Sequence, residues 1–175
     1  MRQALVIIDM LNDFVQPGAP LEVPATREIL PALQQRLRQA RAQGLPVIHV
    51  CDAHAPDDSE FSRMGWPPHA VRGTRGAQIV DELAPLPGET TVCKTTYSGF
   101  HATDLDEHLR RLQVDELVLT GCVTSICVLY TAADAVMRGY RVRVPADCVA
   151  HLDPGDGAFA LRQMRQVLGV DVEED

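Results

Sequence analysis

The chain has 175 residues, a mass of 19.2 kDa, 46% apolar and 23% charged residues, and a formal net charge of −8. That length suits one domain, residues 1–175, able to bury roughly 70% of its unfolded surface. The acidic balance argues against nucleic-acid and anionic-membrane partners, and no apolar run approaches the ~18 residues of a membrane span.

The opening MRQALVIID has a short apolar run without a small-residue cleavage site, so it does not read as a signal peptide. A cytoplasmic protein is expected. The cysteines are Cys51, Cys93, Cys122, Cys127 and Cys148. An odd number without C-x-x-C spacing is a poor disulfide framework, and cytosolic thiols stay reduced.

Strand-like runs occur at Ala4 to Ile8, Pro46 to Val50, Thr90 to Lys94, Glu116 to Gly121 and Tyr140 to Val144, with a weaker one at Val170 to Val172. Several are continuously apolar, as strands covered on both faces are. Helical spacing separates them. Leu30, Leu33, Leu37 and Ala40 precede Gly44, with Pro31 blurring the start. Ile79, Val80 and Leu83 mark a short helix; Leu105, Leu109 and Leu112 mark another, opened by Thr103 and acidic residues. A helix is expected from Thr124 to Arg138, and a last one through Leu161, Met164 and Leu168. The tail Val172 to Asp175 reads as solvated. The alternation predicts a three-layer α/β/α, Rossmann-like fold with a mainly parallel six-stranded sheet and helices on both faces. The stretch Asp52 to Arg75, about twenty-four residues rich in Pro, His and Asp, reads as a long functional loop.

Parallel sheets bind ligands at the carboxyl ends of their strands. Asp9 follows the first run, Asp52 and His54 the second; Lys94 ends the third, and Cys122 to Cys127 follow the fourth. One Asp after a strand is as readily a turn cap; four reactive types at four strand ends point to chemistry. Thr124 as helix cap would put Cys127 in a first helical turn, where backbone N–H groups lower a thiol's pKa. Cys51, Cys93 and Cys122 read as packed small hydrophobes. None of the histidines follows a strand as Asp9 and Lys94 do, which makes a papain-like Cys–His pair the weaker reading. Asp52, His54 and His69 offer a carboxylate and two imidazoles to a divalent cation, with Asp58 or Glu60 between them able to add oxygen.

These motifs make the chain similar to the isochorismatase-like cysteine hydrolases, and within them to the nicotinamidase/pyrazinamidase members. ALVIIDMLNDF resembles the family's strand followed by D-x-x-N-D-F, KTTYSGF its lysine segment, and TGCVTSICV its nucleophile motif G-x-x-T-x-x-C-V. The resemblance implies Asp9, Lys94 and Cys127 as the catalytic residues. It implies an oxyanion hole from the backbone N–H groups of Val123 and Cys127, with a cis Cys122–Val123 peptide. VCDAHAPDDSEF and WPPHAVRGTRGAQI resemble the nicotinamidase metal loop, a set many relatives with other substrates lack. It puts Asp52, His54 and His69 on one divalent ion, zinc first and iron or manganese as alternatives. Many nicotinamidases have a third histidine where Asp58 stands here; Glu60 is the first candidate for that ligand, then Asp58, then water. Ala53 stands where a bulky aromatic is frequent. Phe14, Trp66 and Tyr97 fall on pocket aromatics.

The implied activity is hydrolysis of nicotinamide, and of pyrazinamide, through a cysteine thioester in NAD salvage. The partner would be a small-molecule amide, with a homo-oligomer left open. The alternatives are a hydrolase of another small amide, ureide or carbamoyl compound, and a non-catalytic or redox-sensing module, the latter through a Cys122–Cys127 disulfide.

Overall fold

The computed structural model describes residues 2–174; Met1 and Asp175 of the expected domain lie outside the described residues. The chain runs β1 (Gln3–Ile8), α1 (Asn12–Val15), α2 (Thr26–Ala42), β2 (Val47–Asp52), α3 (Ser59–Met64), β3 (Thr90–Lys94), α4 (Leu105–Arg111), β4 (Glu116–Cys122), α5 (Leu129–Met137), β5 (Arg141–Pro145), β6 (Val149–Ala150), α6 (Pro154–Leu168) and β7 (Asp171–Glu173). Short 3-10 turns lie at Asp81–Leu83 and Ala146–Cys148, and a π-helical turn, Thr124–Val128, leads into α5.

Strand order is β3-β2-β1-β4-β5-β7, and every pairing is parallel. The central strands are apolar on both faces because helices cover both. Along β1, Ala4, Val6 and Ile8 pack into one core with Leu105 and Leu109 of α4, Ala132 of α5 and Met164 of α6. Leu5 and Ile7 point the other way, onto Ile29, Leu33 and Leu37 of α2. The period-two alternation of a strand thus feeds two cores at once. Among the described residues, no helix is long and apolar enough to cross a membrane.

The sheet has seven strands rather than six. The extra one, β6, is two residues long and pairs with the end of β4, Gly121 opposite Val149. Two residues carry no readable periodicity. β7 also takes in part of the tail expected to be solvated. Helix α2 starts at Thr26 and runs through Pro31, whose ring sits on the exposed side. The expected helix at Ile79 to Leu83 is the single 3-10 turn Asp81–Leu83. β3 is an edge strand, which leaves Cys93 exposed rather than packed; Cys51, Cys122 and Cys148 are buried.

Gly121 lies opposite Ile8 in the central strand pair, with φ +104°. A Cβ there would fall 2.0 Å from the Ile8 carbonyl oxygen. Only glycine permits this approach, and it sits one residue before the segment that carries the site. Gly121→Ala should therefore destabilise the fold by about 2–6 kcal/mol, from backbone strain plus overpacking. Urea unfolding checks this; an unchanged midpoint would refute it.

Candidate active site

Four neighbouring strand ends build one site. After β1 the chain leaves the sheet at Asp9, whose φ is +53° and whose N–H donates to Val50 O at 2.8 Å. Asp52 ends β2 and its N–H donates to Asp9 Oδ1 at 2.8 Å. Lys94 ends β3 in register with Asp52. β4 ends in a cis Cys122–Val123 peptide, as expected, and the π-helical turn then brings Cys127 back over the sheet.

These residues meet at the Lys94 ammonium. Its Nζ donates to Asp52 Oδ1 at 2.5 Å and to Cys127 Sγ at 3.4 Å, and pairs with Asp9 Oδ2 at 2.7 Å. Lys94 is 2% exposed. Burial disfavours its charge, but Asp52 and Asp9 outweigh burial and hold it protonated, its pKa well above the usual lysine value. Burial and the charge of Asp52 push Asp9 up to about 6, against the pull of Lys94.

Burial also pushes the Cys127 thiol up, with Lys94 pulling it down and Asp9 pushing it further up. This corrects the expectation of a lowered thiol. Thr124 is not a helix cap: the chain enters a π-helical turn with no side-chain cap, and Thr124 Oγ1 is buried without a hydrogen-bond partner. The charge that favours a Cys127 thiolate is that of Lys94, not a helix terminus. Cys122 and Cys127, the pair of the redox-sensing alternative, are both free thiols and both line one pocket. The Cys122 thiol donates to Asp9 O at 3.3 Å and packs with the α2-side core, while Cys127 packs with the core on the other face.

The stretch expected to be one long loop contains α3. Asp58 caps it, Oδ1 accepting from Glu60 N at 2.9 Å, while Oδ2 takes His54 Nδ1 at 3.0 Å. Both oxygens are thereby engaged, and Asp58 is not among the residues whose ligand atoms lie together. The helix turns Glu60 inward. Its Oε2 lies 3.4 Å from His54 Nε2, and Oε1 is buried without a hydrogen-bond partner. His54 Nε2 is also an orphan, 3.7 Å from Asp52 Oδ2. His69 engages Pro67 O through Nδ1 at 2.9 Å, which frees Nε2. One ligand atom each from Asp52, His54 and His69 lies within 4.8 Å of the others.

The three grouped ligand atoms, with His54 Nε2 orphaned among them and Glu60 Oε2 beside it, fit a bound cation, while Glu60 Oε1 lies 3.6 Å from Arg63. Two imidazoles and two carboxylates suit zinc, iron or manganese. Burial opposes charge on His54, yet Asp52, Asp58 and Glu60 raise its pKa to about 9. Their field favours a positive charge at this spot.

Both groups of residues open into one pocket of about 520 Å³ of empty space, its mouth included. Phe14, Trp66 and Tyr97 all line it, with Asp9, Cys122, Cys127, Val123, Asp52, Glu60 and His69. Phe14 and Trp66 set their rings edge-on to His69 at 5.6 and 6.0 Å, and Tyr97 stacks on Tyr130 at 5.8 Å. Lys94 and His54 are not among the lining residues; they act from behind the wall. Sequence reasoning missed Leu21, Val23, Thr96, Ile126 and Leu152 in the lining, because side chains of these types carry no chemical signature. It also missed the bond from Asp52 to Lys94, which the strand alternation of Asp52 and the lysine at a neighbouring strand end could have signalled.

Thiol, carboxylate and ammonium in contact at the carboxyl edge of a parallel sheet are the parts of a hydrolase site. The isochorismatase domain matches residues 3–173, and the chain belongs to the isochorismatase family of hydrolases. Nicotinamidase/pyrazinamidase PncA from Bacillus subtilis is similar to it with TM-score 0.93 and 32% identity, over 99% of this chain and 100% of that one. N-carbamoylsarcosine amidase from Thermoplasma acidophilum gives 0.89 and 36%, over 99% and 96%. The pyrazinamidase of Pyrococcus horikoshii, solved in complex with zinc, gives 0.92 and 31%, over 100% of both chains.

Removing Lys94 would leave two buried carboxylates without their cation. Lys94→Ala should cost about 3–5 kcal/mol of stability. Denaturant unfolding at neutral pH measures it, and a loss below ~1 kcal/mol, as at an exposed pair, would show that the ammonium does not hold the site.

Proposed function

We propose that this protein is a metal-dependent nicotinamidase that hydrolyses nicotinamide, and pyrazinamide, to the acid and ammonia through a thioester on Cys127. The observation that carries the reading is the double placement of Asp52. One oxygen binds Lys94, beside the thiol, and the other faces His54 in the metal-ligand set. Reaction centre and cation set thus share one pocket, walled by Phe14, Trp66 and Tyr97.

Asp9 accepts the proton of Cys127 while the Lys94 ammonium steadies the thiolate. The sulfur attacks the carboxamide carbon. Backbone N–H groups of Val123 and Cys127 would meet the oxyanion. Asp9 returns the proton to the leaving nitrogen, the C–N bond breaks and ammonia departs. Asp9 then takes a proton from water, whose oxygen attacks the thioester and releases the acid and the thiol. A divalent ion on Asp52, His54, His69 and Glu60, zinc before iron or manganese, would supply a Lewis-acid partner for the ring nitrogen and so orient the amide. The protein would act in the cytoplasm in NAD salvage, as one domain, with a small amide as its partner and a homo-oligomer open.

The 36% identity to an N-carbamoylsarcosine amidase supports a second reading, a ureide amidase with the same three catalytic groups. An ammonia-release assay over nicotinamide, pyrazinamide, N-carbamoylsarcosine and simple amides separates the two. The nicotinamidase reading expects the highest kcat/KM on nicotinamide, and preference for the ureide overturns it. Cys127→Ala should abolish turnover with the fold intact by circular dichroism; retained turnover would sink the nucleophile. Metal analysis of unchelated protein should find about one divalent ion per chain, lost in His54→Ala. An active enzyme free of metal would remove the cation from the reading.

A further inference from the structure

Asn12 and Asp13 belong to the D-x-x-N-D-F segment, yet neither lines the pocket. Both are directed at the loop that follows His69. Asp13 Oδ2 accepts the Ala70 N–H at 2.8 Å. The Asp13 N–H donates to Gly76 O at 3.0 Å, the Asn12 N–H to Gln78 O at 2.9 Å, and Asn12 Nδ2 to Arg75 O at 2.9 Å. One short helix, α1, therefore fastens the chain from Ala70 to Gln78, a stretch with no helix or strand of its own.

Ala70 is fully buried and its φ is +46°. An alanine leaves that left-handed conformation unless its surroundings hold it. Its N–H goes to Asp13, and its carbonyl accepts the His54 N–H at 3.0 Å. His54 O in turn accepts the Arg72 N–H at 2.9 Å. Ala70 is thus joined covalently to His69 and by a hydrogen bond to His54, the two imidazoles of the cation set.

Gly76 shows that space is reserved for the carboxylate. A Cβ on residue 76 would fall 2.1 Å from Asp13 Oδ2. The glycine vacates the place where the Asp13 side chain must lie to reach Ala70.

We propose that Asp13 is a positioning residue for the metal set: by gripping the Ala70 N–H it fixes the backbone that carries His69 and braces His54. The inference rests on the metal reading above. Asp13 is not among the residues whose ligand atoms lie together, and its Oδ2 is held by the Ala70 N–H. Partners outside the ligand shell typically govern metal affinity by about 10–100-fold.

The test measures zinc affinity by competition with a chromophoric chelator, and amide hydrogen exchange at Ala70 in metal-stripped protein. Asp13→Ala and Gly76→Ala attack the same contact from its two sides. Each should weaken zinc by about 10–100-fold and speed Ala70 exchange. Asp13→Asn keeps an acceptor oxygen and should stay near the wild type in both. His54→Ala removes a ligand but leaves the Asp13 bond, so zinc should weaken without Ala70 exchange changing in step. Wild-type zinc affinity in folded Gly76→Ala or Asp13→Ala overturns the proposal. Unaltered Ala70 exchange in them overturns the grip itself. Failure of the wild type to bind zinc would instead sink the metal reading, with the exchange data still judging the grip.

Discussion

A buried ammonium between two buried carboxylates organises this protein. Lys94 is enclosed at the end of an edge strand, with Asp9 on one side and Asp52 on the other. None of the three would tolerate its burial alone, since an unpaired charge in the interior costs several kcal/mol. Each is therefore bound to the positions of the other two. That demand ties β1, β2 and β3 together at their carboxyl ends, beyond what their ladders require. The fourth member, Cys127, arrives from β4 and is placed against the same nitrogen. The acidity of the chain is partly local: Asp9, Asp52 and Glu60 surround one lysine and one cation-favouring cluster.

The chemistry follows from where this ammonium stands. It lies behind the pocket wall, and the groups it touches face the pocket. It therefore leaves the pocket face to Cys127 and Asp9 while its charge acts on both. Burial raises both the Cys127 thiol and the Asp9 carboxyl, the latter to about 6, and Lys94 pulls both down. Asp52 extends the control to the second half of the site, because the carboxylate that neutralises Lys94 also faces His54. One side chain thus joins the Lys94 cluster to the His54 cluster.

Much of this was legible in the amino-acid order. Apolar runs ending in Asp9, Asp52, Lys94 and the Cys122 to Cys127 turn announce a parallel sheet with reactive groups on one edge. The spacing Asp52, His54 and His69 already offers the ligand atoms that the fold draws together. Other features were not legible, each for a local reason. Helix α3 hides in a Pro- and Asp-rich stretch because its six residues give too few turns to show a period. The π-helical turn at Thr124 looks like an ordinary capped helix, since the extra residue in its turn leaves no mark on composition. Cys93 is apolar like its buried neighbour Val92, and only its phase on an outer strand exposes it.

The sequence by itself determined which residue types stand at the strand ends, which faces are apolar, and so the class of fold. Those follow from period and residue chemistry, which are local. Tertiary structure alone decided who neutralises whom. Asp58 and Glu60 are two residues apart, and nothing in their order says that one caps a helix while the other turns inward beside His54. Asp13 looks like one more surface acid until the chain from Ala70 to Gln78 folds back over it. Hydrogen-bond and charge partners are set by proximity across the sheet, between residues tens of positions apart, and that distance appears only when the chain is folded.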